Sequence, residues 1–116
     1  MKILEISRHI WCMKASQSAI IHIREGFTPE LKRSFKEAMA ELLKVNTSRY
    51  QIHHIIPISF MGRNEFDNFC LIQPEIHDAF HRFIEENNRT LKPNEKGYIL
   101  LPHPRSRIVL NRNFNF

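Results

Sequence analysis

Cysteine is scarce in this chain of 116 residues, which argues against the disulfide frameworks and cysteine zinc ribbons of many small domains. The sequence contains only Cys12 and Cys70, each flanked by large apolar residues and without Cys-x-x-Cys spacing. We predict two buried thiols, with a single disulfide as the alternative. A chain of this length buries roughly two-thirds of its unfolded surface without help from a metal. Any bound metal is therefore expected to serve chemistry.

Long apolar runs are also absent. No stretch reaches the roughly 18 apolar residues of a membrane span. The first residues, MKILEISRHIWCMK, are interrupted by charged side chains and lack the apolar core of a signal peptide. There is no internal repeat and no low-complexity linker. We expect one domain that works in an aqueous compartment.

The charge of the chain is unbalanced but not concentrated. Seventeen Lys and Arg residues against twelve Asp and Glu residues give a formal net charge of +5, and the basic residues are scattered along the chain. This balance favours an anionic partner, with nucleic acid first, although a moderately basic isoelectric point is common among soluble proteins.

Histidine, by contrast, is abundant in one stretch. Residues 50–82 read YQIHHIIPISFMGRNEFDNFCLIQPEIHDAFHR and contain four of the seven histidines. His53 and His54 are adjacent at the end of a short alternating run that Pro57 closes, a pattern typical of a strand. Because neighbouring strand residues point to opposite faces, the two imidazoles are expected to have different roles.

The second pair of histidines lies on a predicted helix. His77 and His81 are four residues apart in PEIHDAFHRFIEE, a segment that begins with Pro74 and contains no internal Gly or Pro. This spacing places both imidazoles on one helical face. Together with one histidine of the strand, they offer three ligands to a divalent ion and leave a position open, as catalytic sites do.

The residues between the two pairs predict a turn and a returning strand. Met61–Asn64 forms a turn-like break, and the apolar run Phe69–Ile72 follows it. The order strand, turn, strand, helix resembles the ββα-metal motif of HNH endonucleases. The stretch is most similar to colicin-type and pyocin-type DNases, whose motif begins His-His-x-x-Pro and ends His-x-x-x-His, with an asparagine in the middle.

The resemblance implies a role for each matching residue. The metal ligands would be His53, His77 and His81. His54 would be the general base, and Asn68 would brace the two arms of the motif. The implied activity is hydrolysis of DNA phosphodiester bonds to 5′-phosphate and 3′-hydroxyl ends.

Two departures from the family pattern stand out. Gln51 occupies the position, two residues before the histidine pair, where colicin-type enzymes carry an acidic residue. The zinc ribbons of many phage and homing HNH enzymes are missing. Imidazole ligands suit Zn²⁺, Ni²⁺ or Mn²⁺ better than Mg²⁺. By proximity in sequence, Arg49, Arg63 and Arg82 are candidates to contact nucleic-acid phosphates.

Other functions are compatible with the same motif. A non-catalytic, metal-stabilised module that binds nucleic acid would keep the ligands, and an HNH enzyme that cleaves RNA would keep the whole site. As a nuclease, the domain resembles the warhead of interbacterial toxins, which would be delivered into the cytoplasm of a target cell and inhibited by an acidic immunity protein. A phage, restriction or repair nuclease would have the same sequence features.

We predict an α+β fold for the single domain. Residues 1–49 would form an N-terminal arm and a helix, residues 50–84 the ββα-metal core, and residues 85–116 a C-terminal hairpin and tail. In the first part, residues 2–12 and 19–23 would be two short strands, or one strand and an irregular arm. In the last part, Tyr98–Leu101 and Arg107–Leu110 would pair around a proline-rich turn.

The helix of the first part has clear signals. Thr28 is placed to cap it, Pro29 to begin it, and it should end near Lys44. Its apolar stripe would be Leu31, Phe35, Ala38, Met39, Leu42 and Leu43. The basic residues outside the stripe, Lys32, Arg33 and Lys36, would be a solvated face or would contact phosphates. Outside the motif, we expect structural roles for His9 and His22 and an exposed loop position for His103.

Overall fold

Two long helices and two three-stranded sheets make up the part of the chain that the structure, a computed structural model, describes. That part comprises residues 3–7, 10–16, 24–88, 91, 95–104 and 108–109. In chain order the elements are β1 (Ile3–Ser7), β2 (Ile10–Ser16), α1 (Pro29–Leu43), β3 (Gln51–His54), β4 (Phe69–Ile72), α2 (Pro74–Asn87), β5 (Lys96–Pro102) and β6 (Ile108–Val109). The predicted α+β class is confirmed.

The first helix begins as its sequence signals predict. The Thr28 hydroxyl accepts a hydrogen bond from the Leu31 amide at 3.2 Å, and Pro29 is the first helical residue. The helix ends at Leu43, where Lys44 takes a left-handed conformation with φ of 55°. The helix extends over about 22 Å. The strand that it covers, β4, is only about 13 Å long.

The difference in length explains why part of the predicted apolar stripe is wrong. Phe35 and Met39 are buried against β4, but Leu42 is 71% exposed and Leu43 is 38% exposed. The last turn of α1 therefore extends past the end of the strand.

β4 lies at the centre of the fold, and all four of its residues are buried. Phe69 and Leu71 pack on α1, whereas Cys70 and Ile72 pack on the buried face of α2. A strand that is covered on both faces has a continuous apolar sequence instead of an alternating one. The two helices therefore lie on opposite faces of the sheet that carries the histidine pair.

The histidine pair lies on β3, which pairs antiparallel with β4 as predicted. His53 stands opposite Cys70, and His54 stands opposite Phe69. Because β3 has the same alternation as β4, His53 faces α2 and His54 faces α1. The expectation that the two imidazoles point to opposite faces of the strand is confirmed.

The remaining strands differ from the sequence prediction. The first N-terminal run folds as two strands, β1 and β2, in one antiparallel pair. The predicted run at 19–23, like His9 and His22, lies outside the described residues. β5 pairs antiparallel with β2, and β6 pairs parallel with β4, so the predicted C-terminal hairpin is wrong. β2 offers β5 a ladder of seven residues, whereas β6 contains only two.

The sheet of β1, β2 and β5 has its own small core, which includes Met13, Ile99 and Leu101. The side chain of Asn88, just after α2, accepts from the Leu100 amide at 2.6 Å and donates to the Leu100 carbonyl at 2.8 Å. This amide ties the end of α2 to β5.

Three smaller expectations have clear outcomes. Both cysteines are free thiols, with Cys70 buried and Cys12 half-buried. His103 is half-buried, not exposed, because its ring stacks on Trp11 with centroids 3.6 Å apart. Among the described residues, no helix is long and apolar enough to cross a membrane.

Candidate metal centre and adjoining cleft

Three imidazoles converge between β3 and α2. His53 comes from the strand, and His77 and His81 come from successive turns of the helix. One nitrogen from each ring lies within 4.8 Å of the others. The Nε2 atoms of His77 and His81 are 3.0 Å apart. Three histidines are thus close enough to hold a metal ion.

His53 gives the strongest indication of a ligand. The residue is 2% exposed, and among the described residues its buried Nε2 atom has no hydrogen-bond partner. Burial lowers the pKa of His53 well below its usual value, and the neighbouring imidazoles of His77 and His81 lower it further. The ring is therefore neutral, and its unpaired nitrogen is costly in an apolar setting unless something binds it.

The spacing of the three rings fits an ion. Imidazole nitrogens about 2.0–2.1 Å from a tetrahedral ion lie about 3.3 Å from one another. The Nε2 atoms of His77 and His81 are 3.0 Å apart, and the ligand nitrogens of all three rings lie within 4.8 Å of one another, so this value falls within the range that the cluster allows. Small side-chain adjustments would close the cluster on an ion.

His77 is held for ligation by a neighbour on β3. Its Nδ1 atom lies 2.5 Å from the Oε1 atom of Gln51. Because an amide oxygen only accepts hydrogen bonds, Nδ1 carries the proton and Nε2 keeps the lone pair that a metal needs. Burial, assisted by His81, lowers the pKa of His77 to about 4, so the ring is neutral near pH 7.

His54 lies on the opposite face of the strand among aromatic rings. Its ring makes edge contacts with Phe27 and Phe69 at centroid distances of 4.5 and 5.0 Å. Its Nε2 atom is 2.9 Å from the Oδ1 atom of Asn64. The amide oxygen accepts the Nε2 proton, so the lone pair of His54 is on Nδ1.

The environment of His54 keeps its ring neutral. Burial lowers the pKa of His54 below its usual value, the hydrogen bond to Asn64 partly opposes this effect, and the positive charge of Lys32 lowers the pKa further. A neutral, oriented imidazole with an available lone pair can act as a general base near pH 7.

His54 and the three-histidine cluster open into one cleft of about 300 Å³. All four motif histidines contribute to its walls. Pro57, Ile58 and Ser59 form another part of the wall, and among the described residues that line the cleft Arg24 is the cation. Two chemical groups on opposite faces of β3 are therefore accessible from the same space.

Asn68 does not line this cleft and instead organises the loop between β3 and β4. Its Oδ1 atom accepts from the Ile56 amide at 2.8 Å, and its Nδ2 atom donates to the carbonyls of Ile56 and Arg63, both at 3.0 Å. Its backbone carbonyl accepts from the Ile55 amide at 2.8 Å. Asn68 is a positioning residue that braces the two arms of the motif.

The three arginines chosen by sequence proximity lie elsewhere. Arg49, Arg63 and Arg82 are all exposed, and none of them lines the cleft. Arg63 is 3.7 Å from the carboxylate of Glu65, and Arg82 lines a separate surface cavity on α2.

Three polar residues of the site have roles that the sequence did not reveal, namely Arg24, Gln51 and Asn64. Asn64 fell within the predicted turn, and Gln51 was noticed only as a departure from the family pattern. Arg24 precedes α1, and no sequence pattern indicates that it lines the cleft.

Comparisons with protein families, with curated proteins and with solved structures find no match to this chain. What this chain does is therefore inferred from the residues of the site.

Proposed function

We propose that this protein is a metal-dependent HNH-type endonuclease that hydrolyses phosphodiester bonds of DNA. The observation that supports it most is that the two faces of β3 carry different sets of imidazoles. A three-histidine cluster with an orphaned nitrogen lies on one face, and an oriented neutral imidazole lies on the other, yet both open into the same cleft.

In the proposed mechanism, Nδ1 of His54 takes a proton from the water that attacks the phosphorus atom. Asn64 holds the ring in the tautomer that this step needs. His53, His77 and His81 would hold a divalent ion. When bound, that ion would stabilise the negative charge that develops on the phosphate and on the departing 3′ oxygen.

Arg24 would contribute a second positive charge. It is exposed and lines the cleft beside the histidines, where a guanidinium can contact a phosphate oxygen. Cleavage of the bond between the phosphorus atom and the 3′ oxygen, which then takes up a proton, would leave 5′-phosphate and 3′-hydroxyl ends. A nuclease of this kind would fit an interbacterial toxin, with an acidic immunity protein as its partner.

The test is plasmid cleavage by purified protein that is stripped of metal and then supplied with Mg²⁺, Mn²⁺, Ni²⁺ or Zn²⁺ in turn. We expect at least one ion to restore nicking. His54→Ala should abolish nicking while it still binds the ion, because its imidazole is not a ligand. His77→Ala, the matched variant in α2 on the other side of β3, should lose metal binding and nicking together.

The proposal fails if the wild-type protein binds metal and DNA but cuts under no ion. That result would favour a non-catalytic module that binds nucleic acid, and RNA should then be tested as the substrate. Full activity of His54→Ala would instead remove the assignment of this residue as the base.

A further inference from the structure

A second concave surface lies beside the cleft, on the side of β3 that faces α1. It is a groove of about 320 Å³. Three cations of α1, Lys32, Arg33 and Lys36, line it together with the ring of Tyr50. We call this surface the cationic groove.

The positive charge of the cationic groove has no acidic counterpart in the described part of the chain. None of the described residues that line it carries a carboxylate. Within the described part of the chain, none of its three cations forms an ion pair, although Glu37 stands four residues after Arg33, a spacing at which helical side chains pair. Lys32 and Arg33 are exposed, and Lys36 is half-buried. Three available cations in one concavity favour an anionic ligand.

The cationic groove is continuous with the cleft. Phe27 and Ile52 are walls of both. The ammonium of Lys32 lies 4.6 Å from the centroid of the Phe27 ring, and that ring lies 4.5 Å from the ring of His54. A contact chain of three side chains therefore leads from the groove to the base.

We propose that the cationic groove binds the backbone of a DNA strand on one side of the scissile phosphate, so that the strand continues from the cleft along α1. This inference rests on the proposed nuclease function and names the surface that would bind its substrate. Lys32, Arg33 and Lys36 would contact phosphates outside the reacting centre, and they are not catalytic residues.

The shape and the charge favour a strand over a single small anion. One phosphate needs one or two cations, whereas Lys32 and Lys36 stand one helical turn apart, with about 5–6 Å between Cβ atoms, and present charges in series. A basic groove with aromatic side chains along it is also the usual surface for single-stranded nucleic acid. Tyr50 and Phe27 supply those rings here.

The test measures binding without cleavage. A fluorescently labelled single-stranded DNA of 12 nucleotides is titrated with metal-free protein in EDTA, and anisotropy gives the affinity at several salt concentrations. The groove variant is Lys32→Gln/Arg33→Gln/Lys36→Gln. The control is Arg49→Gln/Arg63→Gln/Arg82→Gln, which removes the same net charge from exposed positions outside the cationic groove.

We expect the groove variant to bind at least about 30-fold more weakly at 0.1 M salt. The slope of log affinity against log salt should fall by about 2, because each lost phosphate contact on a single strand removes about 0.7. The control should lose no more than about threefold. Equal losses in both variants would overturn the proposal, since net charge alone would then explain binding.

Two further measurements keep the outcome unambiguous. If the triple variant does not fold, the double variant Lys32→Gln/Arg33→Gln, which changes only exposed side chains, should show a salt slope reduced by about 1.4. If wild-type protein binds through the cationic groove but never cuts, the nuclease proposal fails, and of this one only the binding of a DNA strand in the groove stands. If it cuts, and the groove variant binds and cuts as the wild type does, this proposal alone fails.

Discussion

Two side-chain amides determine where the protons of the site's imidazoles lie. Gln51 accepts from His77, and Asn64 accepts from His54. In both pairs an oxygen that cannot donate fixes one ring nitrogen as the donor and leaves the other with a lone pair. Because neither amide is charged, these two contacts orient the imidazoles without changing the net charge of the cleft.

Replacing Asn64 tests its role in positioning the base. Asn64→Leu keeps the approximate size of the side chain but removes the acceptor, so the tautomer of His54 is no longer fixed. We expect kcat to fall about 10- to 100-fold, part of the 10²–10⁴ that a general base contributes. The affinity for metal should not change. Asn64→Asp should restore activity.

The pH profile separates this role from a structural one. Activity is lost as the pH falls through the pKa of His54, because a protonated imidazole cannot accept a proton. Since burial lowers that pKa, the acid side of the wild type's profile of activity against pH should have its midpoint below pH 6.5. The carboxylate of Asn64→Asp raises the pKa and should move the midpoint to higher pH. If the midpoint does not move, the contact between residue 64 and His54 does not affect the protonation of His54.

Replacing Gln51 tests the orientation of a ligand. In Gln51→Leu, the His77 ring loses the partner that fixes its Nε2 lone pair. We expect Zn²⁺ affinity, measured by calorimetric titration, to fall about 10- to 100-fold. Gln51→Glu is the control, because its carboxylate accepts the same proton and should keep or raise the affinity. Equal affinity in Gln51→Leu and the wild type would contradict the assignment.

At the level of elements, the alternation of β3 explains how adjacent histidines come to lie in different surroundings. One face of the strand meets α2 and its two histidines, and the other meets the aromatic side chains beside α1. The three-histidine cluster and His54 therefore lie on opposite faces of one strand, and both line the same cleft. Two residues with one sequence context obtain two chemical environments from the period of the strand.

Local signals explain which elements the sequence could predict. Thr28 and Pro29 define the start of α1, and Pro74 defines the start of α2. The partners of β5 and β6 could not be predicted, because strand pairing depends on which distant segments come together. The predicted hairpin assumed that neighbouring runs pair, whereas β5 found a longer ladder on β2.

The site likewise has features that follow from local sequence and features that depend on the folded loops. The faces on which the four histidines lie could be predicted from their spacing, since i and i+4 on a helix and adjacent positions on a strand are fixed by geometry. Asn64 reaches His54 only through the shape of the loop between β3 and β4, which contains two short 3₁₀ helices, Ile58–Phe60 and Phe66–Asn68. Loop shape was not accessible from local patterns.

Asn68 should be essential for the shape of that loop. Asn68→Ala removes three hydrogen bonds and leaves the Ile56 amide and carbonyl unpaired. We expect the free energy of unfolding, measured by urea denaturation, to fall by about 2–3 kcal/mol. Asn87→Ala is the control, because its exposed amide makes one bond, to the Phe83 carbonyl, and should cost less than about 0.5 kcal/mol. Similar losses in both variants would show that Asn68 does not brace the loop.

At the scale of the whole molecule, we expect the fold to form without a metal. β4 is buried between α1 and α2, and a separate apolar core lies on the other sheet. An ion would therefore bind a chain that is already folded, in contrast to a small zinc domain, which folds only with its metal. The metal-free protein can thus be studied directly, as the binding test above requires.

Its stability should depend on pH with a definite sign. Burial lowers the pKa of His77 to about 4 in the folded protein, whereas the unfolded value is about 6.5. Between these values the unfolded chain binds more protons, so the metal-free protein loses stability as the pH falls from about 6.5 to about 4. Urea midpoints measured in EDTA across this range give the loss. His77→Gln, which cannot titrate, should show a shallower dependence; an equal slope would contradict the prediction.

Metal should add stability at pH 7 and lose its effect in acid. An ion at 1,000 times its dissociation constant stabilises the folded state by about 4 kcal/mol. Protons compete with the ion for the nitrogens of His53, His77 and His81, so this gain should shrink as the pH falls. Urea midpoints with and without Zn²⁺ at pH 7.5 and pH 5 measure it. His54→Ala should keep the full gain, because His54 lies on the face of β3 away from the cluster, whereas His77→Gln should lose most of it. An equal gain in His77→Gln and the wild type would show that the ion binds elsewhere.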